Sequence, residues 1–255
     1  MVIRAYIDES YAEPRTFALG CALARGTDWT WITRDWKRCI KRKNNVLKAE
    51  RRPLISGAHA ADCNSRHRDF EGWQIAEVTA FTRELLDVIA KHNLRVVGFT
   101  VDLRMIDETF SYLSRNPKRT ACGVMATLLW REVAAQAKKL DKNPKITVIY
   151  ESGPFNGMYQ DAYNAMRHSD FRDRDIFEGG IRQEEKSHPP LQVADFIAYE
   201  SMKERDRAEV GRERRLSFQA LLANVHGKGL HLGREGLQQA AERFWSILPL
   251  ESEPS

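Results

Sequence analysis

The chain has 255 residues, 42% of them hydrophobic and 29% charged, a size and balance that suit one large α/β domain and exclude a mostly disordered chain. No apolar run approaches the roughly 20 residues needed to span a bilayer. The first residues enter a strand-like pattern, with no basic segment leading into an apolar one, so a cytoplasmic chain with no membrane partner and no secretory leader is expected. The 40 basic and 35 acidic residues leave a net charge of +5, which permits a nucleic-acid partner without demanding one.

Val2 to Asp8 is mostly apolar on both faces, the mark of a central strand. After Pro14 and Arg15, Thr16 to Ala24 resumes as a second strand, so the two form a hairpin. Trp29 to Thr33, just after Asp28, reads as a third, shorter strand. From Arg34 the pattern turns helical and basic and dissolves around Arg51, Arg52 and Pro53. Glu71 to Lys91 has helical spacing through Trp73, Ala76, Ala80, Phe81, Leu85 and Val88, with Asn93 as its stop and Leu94 to Val101 as the next strand. Thr120 to Leu140 is another amphipathic helix, and Ile146 to Tyr150 a short buried strand that delivers Glu151. Asp175 to Arg182 is a weaker strand. Ser187 can cap a helix that Pro189 and Pro190 open and that runs through Lys203. The charged stretch from Lys203 to Arg215 is read as a solvated helix end. A final helix is expected from about Arg234 to Leu248, with a frayed tail after Pro249. The order of elements suits a mixed central sheet covered by helices on both sides. The domain reading is of one unit with a basic insertion over about 34–70 and a charged helical region over about 203–255.

Cys21, Cys39, Cys63 and Cys122 lie far apart with no C-x-x-C pair, so buried free thiols are expected, not a zinc ribbon or a disulfide scaffold. The P-loop, the Rossmann glycine fingerprint, H-E-x-x-H and G-x-S-x-G are all missing from the sequence.

The informative residues are acids at the ends of apolar runs. On the first strand Arg4, Tyr6 and Asp8 share one face, while Ile3, Ala5 and Ile7 share the other. Asp8 and Glu9 follow a buried run, where a carboxylate is costly unless paired or metal-bound. Glu151 repeats the arrangement, and Asp102, after the strand from Leu94, competes with it. Asp195 sits on the apolar helix LQVADFIAYESMK, beyond the first turn, where the helix dipole does not account for it. Carboxylates gathered from such remote segments make an oxygen-rich site for Mg²⁺ or Mn²⁺. His59, with Asp62 three residues on, is placed as a proton shuttle, general base or extra ligand. Glu184, Glu185 and Lys186 offer a further ligand and a phosphate contact. Between Arg34 and Arg52, Lys37, Arg38, Lys41, Arg42 and Lys43 form a basic stretch that either grips a phosphate backbone or is a solvated helix face.

The motifs Y-I-D-E-S, A-H-A-A-D and E-K-S-x-P-P-L-Q-V-A-D-F-I-A together resemble the family called domain of unknown function 3800, prokaryotic proteins similar to the ribonuclease H-like superfamily. The resemblance covers roughly Ile3 to Lys203. It carries the family's leading Asp-Glu onto Asp8 and Glu9, its L-Q-x-A-D aspartate onto Asp195, and its His-x-x-Asp/Glu element onto His59 and Asp62. The family's glycine after D-E-S is Tyr11 here. For the acid on a middle strand, Glu151 is preferred to Asp102 because it ends the later strand. The resemblance implies a ribonuclease H-like mixed sheet and an acidic site. The expected function is a metal-dependent nuclease with Asp8, Glu151 and Asp195 on the metal, Glu9 or Glu185 auxiliary and His59 moving a proton, acting in phage defence or a mobile element by analogy. The alternative is a catalytically inactive subunit of the same fold that binds nucleic acid or protein. A homodimer or a partner protein is compatible with either reading.

Overall fold

In the computed structural model, residues 1–92, 94–110, 116–224 and 226–245 are described. The chain opens with β1 (Val2–Ala12) and β2 (Thr16–Arg25), an antiparallel pair in which Asp8 faces Gly20. The turn between them closes with Arg15 N–H donating to Ala12 C=O at 2.8 Å. Then come α1 (Gly26–Ala49), the short α2 (Ala60–Ser65) and α3 (Ile75–Lys91). β3 (Arg95–Asp102), α4 (Leu103–Phe110), α5 (Pro117–Leu140) and β4 (Lys145–Glu151) follow. The last third holds α6 (Asn156–His168), β5 (Ile181–Glu184), α7 (Pro189–Glu209), α8 (Leu216–Asn224), β6 (His226–Leu232) and α9 (Arg234–Trp245).

The described strands form a six-stranded sheet in the order β5-β4-β1-β2-β3-β6. β2 runs antiparallel to both β1 and β3; β4 is parallel to β1, β5 to β4 and β6 to β3. This is the mixed sheet flanked by helices expected from the order of elements. Alternation along each strand builds two cores. Ile3, Ala5 and Ile7 join Leu19, Val97 and Val148 against α5 and α6, while Tyr6, Ala18, Ala22 and Ile149 pack with α1, α3 and α7. Residues Pro189 to Glu200 of α7 are all buried, as a helix pressed between a sheet and other elements must be.

Three local expectations are corrected. Trp29 to Thr33 belongs to α1, not to a strand: Trp29, Ile32, Trp36 and Cys39 are its buried residues, a helical spacing that the local density of Trp, Ile and Thr obscures. The helix placed from Glu71 begins at Ile75, after a 3-10 turn over Arg68–Phe70. The strand placed over Asp175 to Arg182 is a 3-10 turn (Arg174–Phe177) followed by β5. In addition, His188, not Ser187, is the N-cap of α7 and makes no side-chain cap bond. The proposed stop at Asn93, the end of the last helix beyond Trp245 and the tail after Pro249 lie outside the described residues. All four cysteines are free and buried. Among the described residues no helix is long and apolar enough to cross a membrane.

Candidate active site

Sheet register places two of the acids. β1 and β4 are parallel, and their ladder ends at Ile7 opposite Tyr150, so Asp8 and Glu151 occupy corresponding positions at the same ends of neighbouring strands and share the face that carries Tyr6 and Ile149. α7 crosses this face and brings Asp195. Its approach depends on Gly20, the partner of Asp8 on β2: a Cβ there would stand 2.3 Å from Ala198 N and 2.5 Å from Ala194 C=O. The glycine lets the backbone of α7 lie directly on the sheet, beside Asp8.

Asp8 is 2% exposed and Asp195 6%. Burial, with Asp195, Glu9 and Glu151 nearby as like charges, holds the Asp8 carboxyl well above the usual carboxylate range, against the opposing pull of Lys186. Asp8 Oδ1 accepts the Glu9 N–H at 2.8 Å. Glu9 takes the opposite face, where it accepts the Tyr159 hydroxyl at 2.8 Å. Burial pushes it up to about 7, although the Tyr159 bond favours its charged form. Lys186 Nζ stands 3.2 Å from Glu151 Oε2, off the hydrogen-bond direction, so that this buried oxygen has no hydrogen bond. Burial works against the charge on Lys186, but Asp8, Asp195 and Glu151 outweigh it and raise its pKa. Asp8, Glu151, Asp195 and Lys186 thus form one electrostatic group.

Asp195 Oδ2 accepts the Ala60 N–H at 2.8 Å and lies 3.4 Å from His59 Nδ1. His59 therefore joins the acids through Asp195. Asp62 does not accompany it, being paired with Arg68 at 3.4 Å. Asp102 is held by Arg104, which donates from its backbone N–H at 2.8 Å and its guanidinium at 2.8 Å; burial raises its pKa, but Arg104 outweighs burial and lowers it. Glu184 lies 3.7 Å from Arg182 and 3.9 Å from His188, and Glu185 is exposed.

The basic stretch divides in two. Arg38 pairs with Asp35 at 3.3 Å, Arg42 with Glu84 at 2.5 Å and Lys43 with Glu77 at 2.6 Å. Lys37 and Lys41 form no ion pair among the described residues. They line a cavity of about 270 Å³ with Asn44, Ser187, Pro189 and Gln192, beside the Lys186 loop.

Gln192 is a buried residue beside these loops that sequence reasoning missed. It is 2% exposed; its Oε1 accepts Trp36 Nε1–H at 2.8 Å and Ala58 N–H at 3.1 Å, and its Nε2 reaches the carbonyls of Lys186 and Ser187 at 3.5 and 3.4 Å. One amide thus ties α1 to the loops that carry His59 and Lys186. An amide within an apolar helical run was the available signal, because a buried polar group must find partners.

No family model matches the chain, and no curated protein is found similar to it. Among solved structures, a chain of the PCNA:RNase HII complex from Archaeoglobus fulgidus is similar, at 14% identity and a TM-score of 0.39, over 99% of this chain and 96% of that one. So distant a likeness says nothing of the chemistry.

Proposed function

We propose that this chain is a divalent-metal-dependent nuclease of the ribonuclease H-like class and a member of the domain of unknown function 3800 family. It would hydrolyse phosphodiester bonds in RNA or DNA, with Asp8, Glu151 and Asp195 as ligands of Mg²⁺ or Mn²⁺. The observation that carries this reading is the convergence of carboxylates from β1, β4 and α7 on one face at the strand ends, with Lys186 against them. Such a gathering is unfavourable unless a cation relieves it, and all its donors are oxygens, which suit a hard divalent ion. Glu151 Oε2 is buried, and its one close polar neighbour among the described residues is the Lys186 ammonium at 3.2 Å, a cation where a metal ion could also sit. As the side chains stand, no three described His, Cys, Asp or Glu groups are close enough to hold an ion, so ligation calls for side-chain rotation.

Bound there, the ion would supply charge stabilisation at the phosphoryl oxygens and an acidified water. The chain's own residues do the rest. Lys186 offers its ammonium to a non-bridging phosphate oxygen. His59, oriented by Asp195, holds a proton at Nδ1 or moves one through its ring. Lys37 and Lys41 hold the strand by its backbone. Strand alternation puts Glu9 on the opposite face, where the Tyr159 hydroxyl holds its carboxylate and its charge acts on Asp8 from behind.

The test has two arms. Mg²⁺ or Mn²⁺ is expected to raise the melting temperature of the wild type, but not of Asp8→Asn or Asp195→Asn. Labelled single- and double-stranded RNA and DNA should be cut by the wild type and left intact by both variants. Cleavage by the variants at the wild-type rate, or no cleavage by the wild type of any substrate, would sink the nuclease reading. Binding without cleavage in all three proteins would instead establish the inactive subunit.

A further inference from the structure

The last turns of α7 and the segment after it carry a second basic feature. A cavity of about 360 Å³ is lined by Arg15, Lys203, Arg207, Arg212 and Arg215, with Asp206 as its acid. Asp206 is already engaged, accepting the Thr16 hydroxyl at 2.6 Å, a bond that pins the end of α7 to the start of β2. Arg215 lies 3.4 Å from Glu200 and donates to Asn64 Oδ1 at 2.5 Å. Arg207 donates to the Glu213 carbonyl at 2.6 Å. Arg15, Lys203 and Arg212 form no ion pair among the described residues, and Arg15 and Arg212 are exposed. Like charges set around one hollow repel each other, and the Thr16–Asp206 bond that fixes this junction neutralises none of Arg15, Lys203 and Arg212. A polyanion is what such a hollow suits.

Its position narrows the choice. Lys203 and Arg207 stand eight and twelve residues beyond Asp195 on the same helix, which is about 12 and 18 Å along its axis. Successive phosphates of one strand advance about 3.4 Å along a duplex axis, so the span corresponds to roughly three to five nucleotides. The geometry points to a second phosphate-binding cleft, between the β1–β2 turn and the C-terminal end of α7, that holds the substrate strand a few nucleotides from the bond to be cut. This rests on the nuclease reading for the identity of the polyanion. It assigns the charged run after Lys203 to the ligand instead of to bulk solvent.

The test titrates labelled DNA and RNA oligonucleotides, single-stranded and duplex, with the wild type and the double variant Arg15→Gln/Arg212→Gln over a range of salt, and follows cleavage in parallel with Mg²⁺ or Mn²⁺. Both residues are exposed, so the fold should survive. The slope of log K against log salt should become shallower by about 1.4 for single strands and 1.8 for duplex, from about 0.7 or 0.9 per lost phosphate contact. Arg15→Lys/Arg212→Lys should restore it. A double variant with unchanged slope and affinity, beside a wild type that cuts, overturns the cleft and leaves the nuclease reading intact. A slope that falls as expected, in a protein that cuts nothing, supports the cleft and sinks that reading. No binding by the wild type refutes both.

Discussion

Gly20→Ala is the perturbation that most directly links packing to the site. The added Cβ would lie 2.3 Å from Ala198 N, 2.5 Å from Ala194 C=O and 2.9 Å from Ala198 Cα, where ordinary contact begins at 3.4 Å. Every obstacle is backbone, so α7 as a whole must move by about 1 Å or the sheet must bend. Overpacking of this kind costs about 1–3 kcal/mol, partly offset by the ~0.4–1 kcal/mol that alanine gains through a less free unfolded chain. At roughly 2–4 °C per kcal/mol for a domain of this size, the melting temperature should fall by several degrees. Gly98→Ala is the internal control: its Cβ meets the Ser201 hydroxyl oxygen at 2.5 Å, the end of a side chain that can rotate away, so its loss should be smaller. Urea unfolding of both variants gives the two values, and cleavage assayed well below the melting temperature gives the second effect. Because α7 carries Asp195, an ångström of displacement should lower the cleavage rate by up to about a hundredfold. If Gly20→Ala is as stable as Gly98→Ala, the close approach of α7 does not set the position of Asp195, and the reasoning fails.

Other outcomes follow from the same contacts. Gln192→Leu leaves the buried Trp36 and Ala58 donors without their acceptor, and should cost about 2–4 kcal/mol in urea unfolding, with a change in tryptophan emission; a loss below about 1 kcal/mol would mean that water from the neighbouring cavity satisfies them. Burial raises the Glu77 carboxyl, but hydrogen bonds from Arg52 and Lys43 outweigh it and bring the pKa from 4.5 down to about 2. A depressed acid stabilises the fold above its unfolded value, so the advantage of the wild type over Glu77→Gln should be full above about pH 4.5 and vanish as the pH falls to about 2, as read by denaturation across that window. Lys186→Met removes the ammonium facing three carboxylates. Scanning calorimetry without metal should show a lower melting temperature, by about 1–2 kcal/mol of stability because the lysine is half exposed, and added Mg²⁺ should then stabilise the variant more than the wild type. Equal responses to metal would show that Lys186 and the ion do not share the carboxylates.

The elements that sequence exposed best were those with unmixed signals. Val2 to Asp8 and Ile146 to Tyr150 are mostly apolar on both faces, and both are inner strands. Two acids at their ends were visible because no other acid lies in either run. What sequence could not supply is register: that β1 and β4 are neighbours, parallel, and level at Ile7 and Tyr150 is a long-range fact. The same applies to charge. Arg38, Arg42 and Lys43 read as free cations along the chain, yet Arg42 and Lys43 meet Glu84 and Glu77 on α3, and Arg38 meets an Asp35 that also collects Arg34, Lys91 and His92. α6, whose buried face is Tyr159, Ala162, Tyr163 and Met166, escaped notice because its apolar residues are interleaved with as many polar ones, so packing decides its structure more than pattern does.

The pairing of β1 with β4 also sets an order of events. During synthesis the β1–β2 hairpin is complete early, and β3 can join it, but the other edge of β1 stays open until β4 has been made. For all that interval a strand whose first half is mostly apolar offers unpaired backbone groups to any passing chain, the circumstance in which edge-to-edge association competes with folding. Asp8 and Glu9 stand near the far end of that open edge. The acids proposed here for metal binding would then serve the nascent chain before any metal reaches them, as the charges that keep its earliest strand from pairing with a stranger.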